Sequence, residues 1–196
     1  MTDLSFDNAD TAQQIAEVVA HGEIRKVLTA YCQGVDRRDW QKVLNCYHDD
    51  AYDSHGPFAG TRDELVRWLE INHQHVSYCM HQISNVTIDI SPSDPLLARS
   101  ETYCISHKTV TSAKNDPYFH GLGLEGEIRR TIACRYIDTF ENRPEVGWRI
   151  LRREVVLEWM RREPSELYVP LDPALASSHR DKSDLLYAPL ATRPVR

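Results

Sequence analysis

The hydrophobic period changes once along this chain, and that change fixes its fold class. Up to about His75 apolar residues recur at three- and four-residue intervals, as Ile24, Val27, Leu28, Tyr31 and Val35 do, so this half reads as helices. After His75 the period becomes two. Strands are expected from about Cys79 to Ile90, Leu97 to Thr111, Glu127 to Phe140 and Gly147 to Trp159. Turn signals separate them at Ser91-Pro-Ser-Asp-Pro, Lys114-Asn-Asp-Pro and Asn142-Arg-Pro-Glu. Helices followed by long antiparallel strands predict an α+β fold.

In the helical half the longest run is Thr11 to about Arg38, with His21-Gly22 as a potential break into two helices. A short amphipathic piece, Trp40 to Tyr47, follows, and "DDAYDSHGPFAGT" reads as a turn-rich segment. Thr61 and Glu64 then form a T-x-x-E capping box that opens a third helix, with Leu65, Trp68 and Leu69 on one face. From about Arg162 the chain is rich in proline, serine and charge and has no clear period. Leu167, Tyr168, Val169, Leu171, Leu185, Leu186 and Tyr187 make this tail too apolar for solvent filler. It is expected to drape over its own domain or a neighbouring subunit, which divides the chain into a domain at 1–160 and an extension at 161–196.

Charge narrows the partners. The 23 basic and 29 acidic residues give a formal charge of −6, with no basic stripe of the kind that tracks phosphates, so neither nucleic acid nor an anionic membrane is expected as a partner. The acidic, polar N-terminus is unlike a signal peptide and no window is apolar enough to span a bilayer, which points to the cytoplasm. The five cysteines stand singly and without a C-x-x-C pair, as reduced core thiols do. There is no G-x-S-x-G and no P-loop, and "HGLGLEG" near Gly121 lacks the strand–helix context of a phosphate loop.

Three residues stand out for chemistry. In the last strand the row Leu151, Arg153, Val155, Leu157, Trp159 is apolar apart from Arg153. An arginine on an inward row needs a carboxylate partner or a polar cavity. Asp36 ends the long helical run, either as a surface carboxylate or turned inward with Tyr31, from which it is roughly 140° away around the helix. His81 stands alone in "YCMHQISN". It is open to three readings: a hydrogen-bonded core residue, a metal ligand with His73 and His75, or a base held by a carboxylate. No compact metal-ligand signature is present, and His73-Gln-His75 reads as a solvated helix end.

The pieces "EIRKVLTAYCQGVDRRDWQKVLNCYHDDAYDSHGPFAG", "MHQISNVTIDI", "RYIDTFE", "GWRILRREVVLEW" and "SSHRDKSDLLYAPL", in this order, resemble the SnoaL-like branch of the nuclear transport factor 2-like superfamily, over roughly Ala20 to Trp159. The resemblance implies a cone-shaped α+β barrel, a curved and mostly antiparallel sheet wrapped around the N-terminal helices with an open-ended pocket. Dehydratase and dehydrochlorinase members use a histidine base oriented by an aspartate and need no cofactor. The matching positions here are His81 and Asp36 as the catalytic pair, and Tyr31 and Arg153 for substrate or leaving group. Tyr103, with Glu101 and His107, falls near a second pocket position, and Trp40, Trp68 and Leu151 would supply apolar wall. The implied activity is a lyase reaction, dehydration or a related elimination, on a small hydrophobic substrate of aromatic, steroid-like or polyketide-like character. No metal is implied, and a homo-oligomer, dimer or trimer, is. The rivals are a non-catalytic ligand- or protein-binding module, a cyclase or isomerase, and a metal-dependent lyase using the histidine cluster.

Overall fold

The computed structural model describes residues 8–118, 126–169 and 171–189, with side chains from Thr11 onward; residues 120–125 of "HGLGLEG" lie outside them. Helix α1, Asn8–Asp36, runs through His21-Gly22 without a break. A mid-helix glycine costs only about 1 kcal/mol, and the buried face of Ile24, Leu28, Tyr31 and Val35 outweighs it. Helix α2, Trp40–Leu44, folds back at once. Gly34 permits this close return, since a Cβ there would meet Val43 Cγ2 at 2.8 Å.

The segment expected to be turn-rich is instead a pair of strands, β1 (Tyr47–His55) and β2 (Phe58–Thr61), joined at Gly56 with φ 67°. Strand β1 buries Tyr47, His48, Ala51 and Asp53 and exposes Asp49, Asp50 and Tyr52. Its polar outer residues hide the strand signal. Helix α3, Arg62–Asn72, begins at the expected capping box, with both reciprocal hydrogen bonds between Thr61 and Glu64 in place. Four long strands follow: β3 (Val76–Ile90), β4 (Leu97–Val110), β5 (Ile128–Arg143) and β6 (Gly147–Pro164).

They form one curved six-stranded sheet in the order β2-β1-β6-β5-β4-β3. Only β1 and β6 pair in parallel; the sheet does not close on itself. Strand β4 alternates from Ala98 to Lys108, with Ala98, Ser100, Thr102, Cys104, Ser106 and Lys108 all buried, and ends with Thr109 and Val110 both buried. Strands β3 and β6 do not: register shifts lie between Ser84 and Val86, and in the β5–β6 pair at Thr139/Phe140 and Ala133/Cys134. An extra residue in one strand reverses which face the following side chains take. The single inward row expected for β6 is therefore corrected. Trp148, Ile150 and Arg153 are buried across the first irregularity, Leu157 still pairs with the inward Cys134, and Trp159 is exposed beyond the second.

Candidate active site

Asp36 is the last residue of α1, and the chain leaves the helix through Arg38, whose φ of 52° is left-handed. The Arg38 guanidinium donates to the carbonyls of His73 and Val76, at 2.7 and 2.6 Å. Arg180, from the C-terminal segment, donates to the carbonyls of Val35, Asp36 and Val76 at 3.0, 3.0 and 2.6 Å. Arg180 thus satisfies the last carbonyls of α1, and both arginines tie the helix end to the start of β3.

This clamp sets Asp36 against His81, which faces inward from β3. His81 Nδ1 lies 2.6 Å from Asp36 Oδ1, and the His81 backbone N–H donates to Oδ2 at 3.0 Å. Both carboxylate oxygens are used on one residue. The opposite ring nitrogen, Nε2, has no hydrogen-bond partner among the described residues. Burial works against the Asp36 charge, but the His81 ring and its N–H groups hold the carboxyl below its usual value. Burial likewise opposes a charged His81; negative charge on Cys79 and Asp36, with their hydrogen bonds, overrides it and pushes the imidazole up to about 10. The Cys79 share of that rise exists only while the thiol, 3.8 Å from Nδ1, is ionised.

Arg153 is fully buried and forms a two-pronged pair with Asp138, Nε and Nη2 each 2.7 Å from a carboxylate oxygen. Its guanidinium lies between the rings of Tyr31 and Tyr136, 4.3 and 4.2 Å from their centroids. Its Nη1 is buried without a partner among the described residues. Burial raises the Tyr31 hydroxyl well above its ordinary value despite the charge of Arg153, so it stays a proton donor. Beyond Arg153, Asp53 is wholly buried, accepts from Tyr47 Oη at 2.7 Å and has His55 Nδ1 3.4 Å away.

Asp36, His81, Tyr31 and Arg153 therefore all face the interior, α1 giving the first and third and the sheet the others. Tyr103 does not join them. It lies at an odd position of β4, 44% exposed on the outer face, as Glu101 and His107 do, paired there with Arg135 and Thr131. Trp40 approaches only through His73, edge-on at 5.7 Å between ring centroids.

His73 is itself corrected. It is 3% exposed and bonded at both ring nitrogens, to Arg180 and to Lys108, so it ends the helix inside the protein. The donors close enough to share a metal ion, among the described residues, are Asp36, Cys79 and His81, within 4.8 Å of one another. The aspartate and Nδ1 are already committed to each other, so a cation there would displace the dyad's hydrogen bond. Asp138, Lys108 and Arg180 escaped the sequence reading. Asp138 carried a signal, as a charge between the inward Tyr136 and Phe140; Arg180, in an aperiodic tail, carried none.

The SnoaL-like domain family matches residues 16–154. A relative in Mycobacterium tuberculosis, strain H37Rv, uncharacterized protein Rv2910c, is 24% identical over 144 residues, 71% of this chain and 86% of its own length. Among solved structures, a candidate scytalone dehydratase from Novosphingobium aromaticivorans superposes with a TM-score of 0.60 at 17% identity, covering 76% of this chain and 90% of the other. Hexachlorocyclohexane dehydrochlorinase LinA-type3 from Novosphingobium barchaimii superposes with a TM-score of 0.63 at 13% identity, covering 81% and 99%. At these identities the likeness is one of fold, the cone-shaped α+β architecture described above.

Proposed function

The chain belongs to the SnoaL-like domain family, and on that premise we propose that it is a cofactor-independent lyase, a dehydratase or related eliminating enzyme acting on a small hydrophobic substrate. The observation that carries this reading is the doubly anchored Asp36–His81 pair, 2.6 Å apart at Nδ1, with Nε2 left for a substrate. A binding module of the same fold has no use for a base so held, whereas dehydration and dehydrohalogenation are the activities named for structural neighbours.

In this reading Nδ1–H stays donated to Asp36, the positioning residue, and bare Nε2 of His81 takes a proton from carbon next to a carbonyl or leaving group. The electron pair released on carbon becomes the new C=C bond as the leaving group departs with its own pair. The imidazolium then gives its proton to departing hydroxide, or to solvent when a halide leaves. Arg153 Nη1 and the Tyr31 hydroxyl are donors for the developing negative charge, strengthened by the low dielectric around them. The test is a panel of β-hydroxy and β-halo carbonyl compounds, with release of water or halide compared between the wild type and His81→Ala.

The same proposal takes residues 1–160 as the catalytic barrel and 161–196 as an extension; Arg180, with Asp184 on Arg37 and Lys182 on Asp39, supports docking of that extension on the end of α1. It also takes the protein as a homo-oligomer. Met80, Tyr103, Ile105, Val156 and Trp159 are all at least 37% exposed on the outer sheet face, an apolar surface suited to a second copy. Trp159→Glu is expected to shift the mass measured by light scattering to that of one chain; an unchanged mass contradicts this placement of the interface. No helix among the described residues is long and apolar enough to cross a membrane. The five unpaired thiols suit the reducing cytoplasm taken as its setting.

A further inference from the structure

The elimination uses the inner face of the sheet, yet the outer face carries a cavity of its own. Its floor is two neighbouring rows of the ladder, Tyr78–Thr109–Arg129 and Met80–His107–Thr131, and Tyr168 of the C-terminal extension closes one side. The space is about 220 Å³. At about 30 Å³ for each water it holds roughly seven, or one organic molecule the size of benzoate.

The charge in this cavity is of one sign. No carboxylate is among the described residues that line it. Lys108 and Arg130 border it through their strands, but their charged ends are bonded on the inner side, to His73 and Asp116. Arg129 is the cation that remains.

Its guanidinium lies over the Tyr168 ring, 3.8 Å from the centroid. Nε is buried without a partner among the described residues. Nη1 and Nη2 are not enclosed in this way, and they too make no hydrogen bond or ion pair among the described residues. The carboxylate that register sets beside Arg129 is Glu163 on β6, and it is taken by the Tyr168 hydroxyl and by Arg161. A guanidinium held by its face offers its edge, whose parallel N–H groups match the two oxygens of a carboxylate. Tyr78 and Met80, with the Tyr78 hydroxyl 3.4 Å from the Met80 sulfur, supply an apolar wall beside that edge. Apolar walls with one placed polar group are the pattern of a small-molecule site.

We propose that this outer cavity binds a small organic carboxylate, with the COO⁻ group on the edge of Arg129 and the apolar body between Tyr78, Met80 and Tyr168. A cationic ligand would meet an unpaired guanidinium, and inorganic phosphate would leave the apolar walls unused. The cavity borders, at Met80, the outer face assigned above to a second copy. Neither His81 nor Asp36 lines it, so this site stands or falls apart from the elimination.

The test is a titration of the isotope-labelled full chain with sodium benzoate, followed by backbone amide NMR at neutral pH and constant ionic strength. Saturating shifts are expected at Thr109, Arg129 and Thr131, with a Kd of about 1 mM, the scale for so small a ligand. Benzamide, of the same shape without the charge, should bind at least about tenfold more weakly, because the charge-assisted pair is lost. Arg129→Gln should weaken benzoate by a similar factor, and Arg129→Lys should not restore it, since an ammonium has no fork. His81→Ala should leave the titration unchanged. Equal affinity for benzamide in the wild type overturns the proposal without any variant, as does undiminished benzoate binding by folded Arg129→Gln. Shifts centred on His81 and Ser106 instead place the ligand on the inner face and overturn it, and phosphate binding as tightly as benzoate overturns the assignment to an organic carboxylate.

Discussion

Asp36→Asn is expected to leave the chain folded and lower turnover by roughly 10⁴-fold, the scale seen when a histidine base is left in the wrong tautomer. The direction follows from the backbone. His81 N–H donates to Oδ2 of Asp36 and still needs an acceptor in the variant. The asparagine oxygen turns to it, which leaves the NH₂ facing Nδ1, now obliged to accept, so the remaining ring hydrogen moves to Nε2 and blocks the base. Nitrogen NMR of the ring checks the tautomer, and rates check the consequence.

The pH profile carries the same signature. Wild-type His81 is pushed up to about 10, so bare Nε2 becomes more abundant as pH rises and the elimination rate should climb on the alkaline side of neutrality. Asp36→Asn should lose that limb. For stability the signs are opposite. His81 titrates above its unfolded value of about 6.5, so its contribution is full below that pH and is lost as pH rises through about 10. Asp36 titrates below its unfolded value, so its contribution is present above about 3.9 and is lost on further acidification.

Arg153→Met should have the largest effect on the fold, a loss of roughly 3–5 kcal/mol. Asp138 is buried at 1% exposure and would lose both of its 2.7 Å hydrogen bonds at once. Burial already raises the Asp138 carboxyl despite Arg153, so without the guanidinium it takes a proton and stays buried without either bond. Urea unfolding at neutral pH measures the loss. Adding Asp138→Leu to Arg153→Met should recover most of it, because a buried pair replaced by apolar groups is close to neutral. A loss below about 1 kcal/mol, the ordinary scale for a point mutation, would mean that Asp138 has another partner.

What the sequence disclosed follows physical range. The change of period placed α1 and the four long strands because each runs for many residues, and the Thr61–Glu64 box marked α3 because its signal is local. Strands β1 and β2 were hidden by short length and polar outer faces. The irregularity at Thr139/Phe140 leaves no compositional mark, yet it decides that Trp148 and Arg153 share a face. Tyr103 was misplaced because its inward neighbours on β4, Thr102 and Cys104, lie one position either side. Arg180 reaches Asp36 across 144 residues of sequence from a tail with no period to read. The candidate dyad was named from family likeness, while its spacing left both residues open to duller readings.

The central claim is that His81 is the base of an elimination. Its most direct test is the release of water or halide from the β-substituted carbonyl panel by wild type and His81→Ala, with circular dichroism confirming that both are folded. The account predicts turnover by the wild type and a loss of roughly 10²- to 10⁴-fold in the variant. Equal rates in the two proteins, or no elimination by the wild type of compounds that it binds, would contradict it.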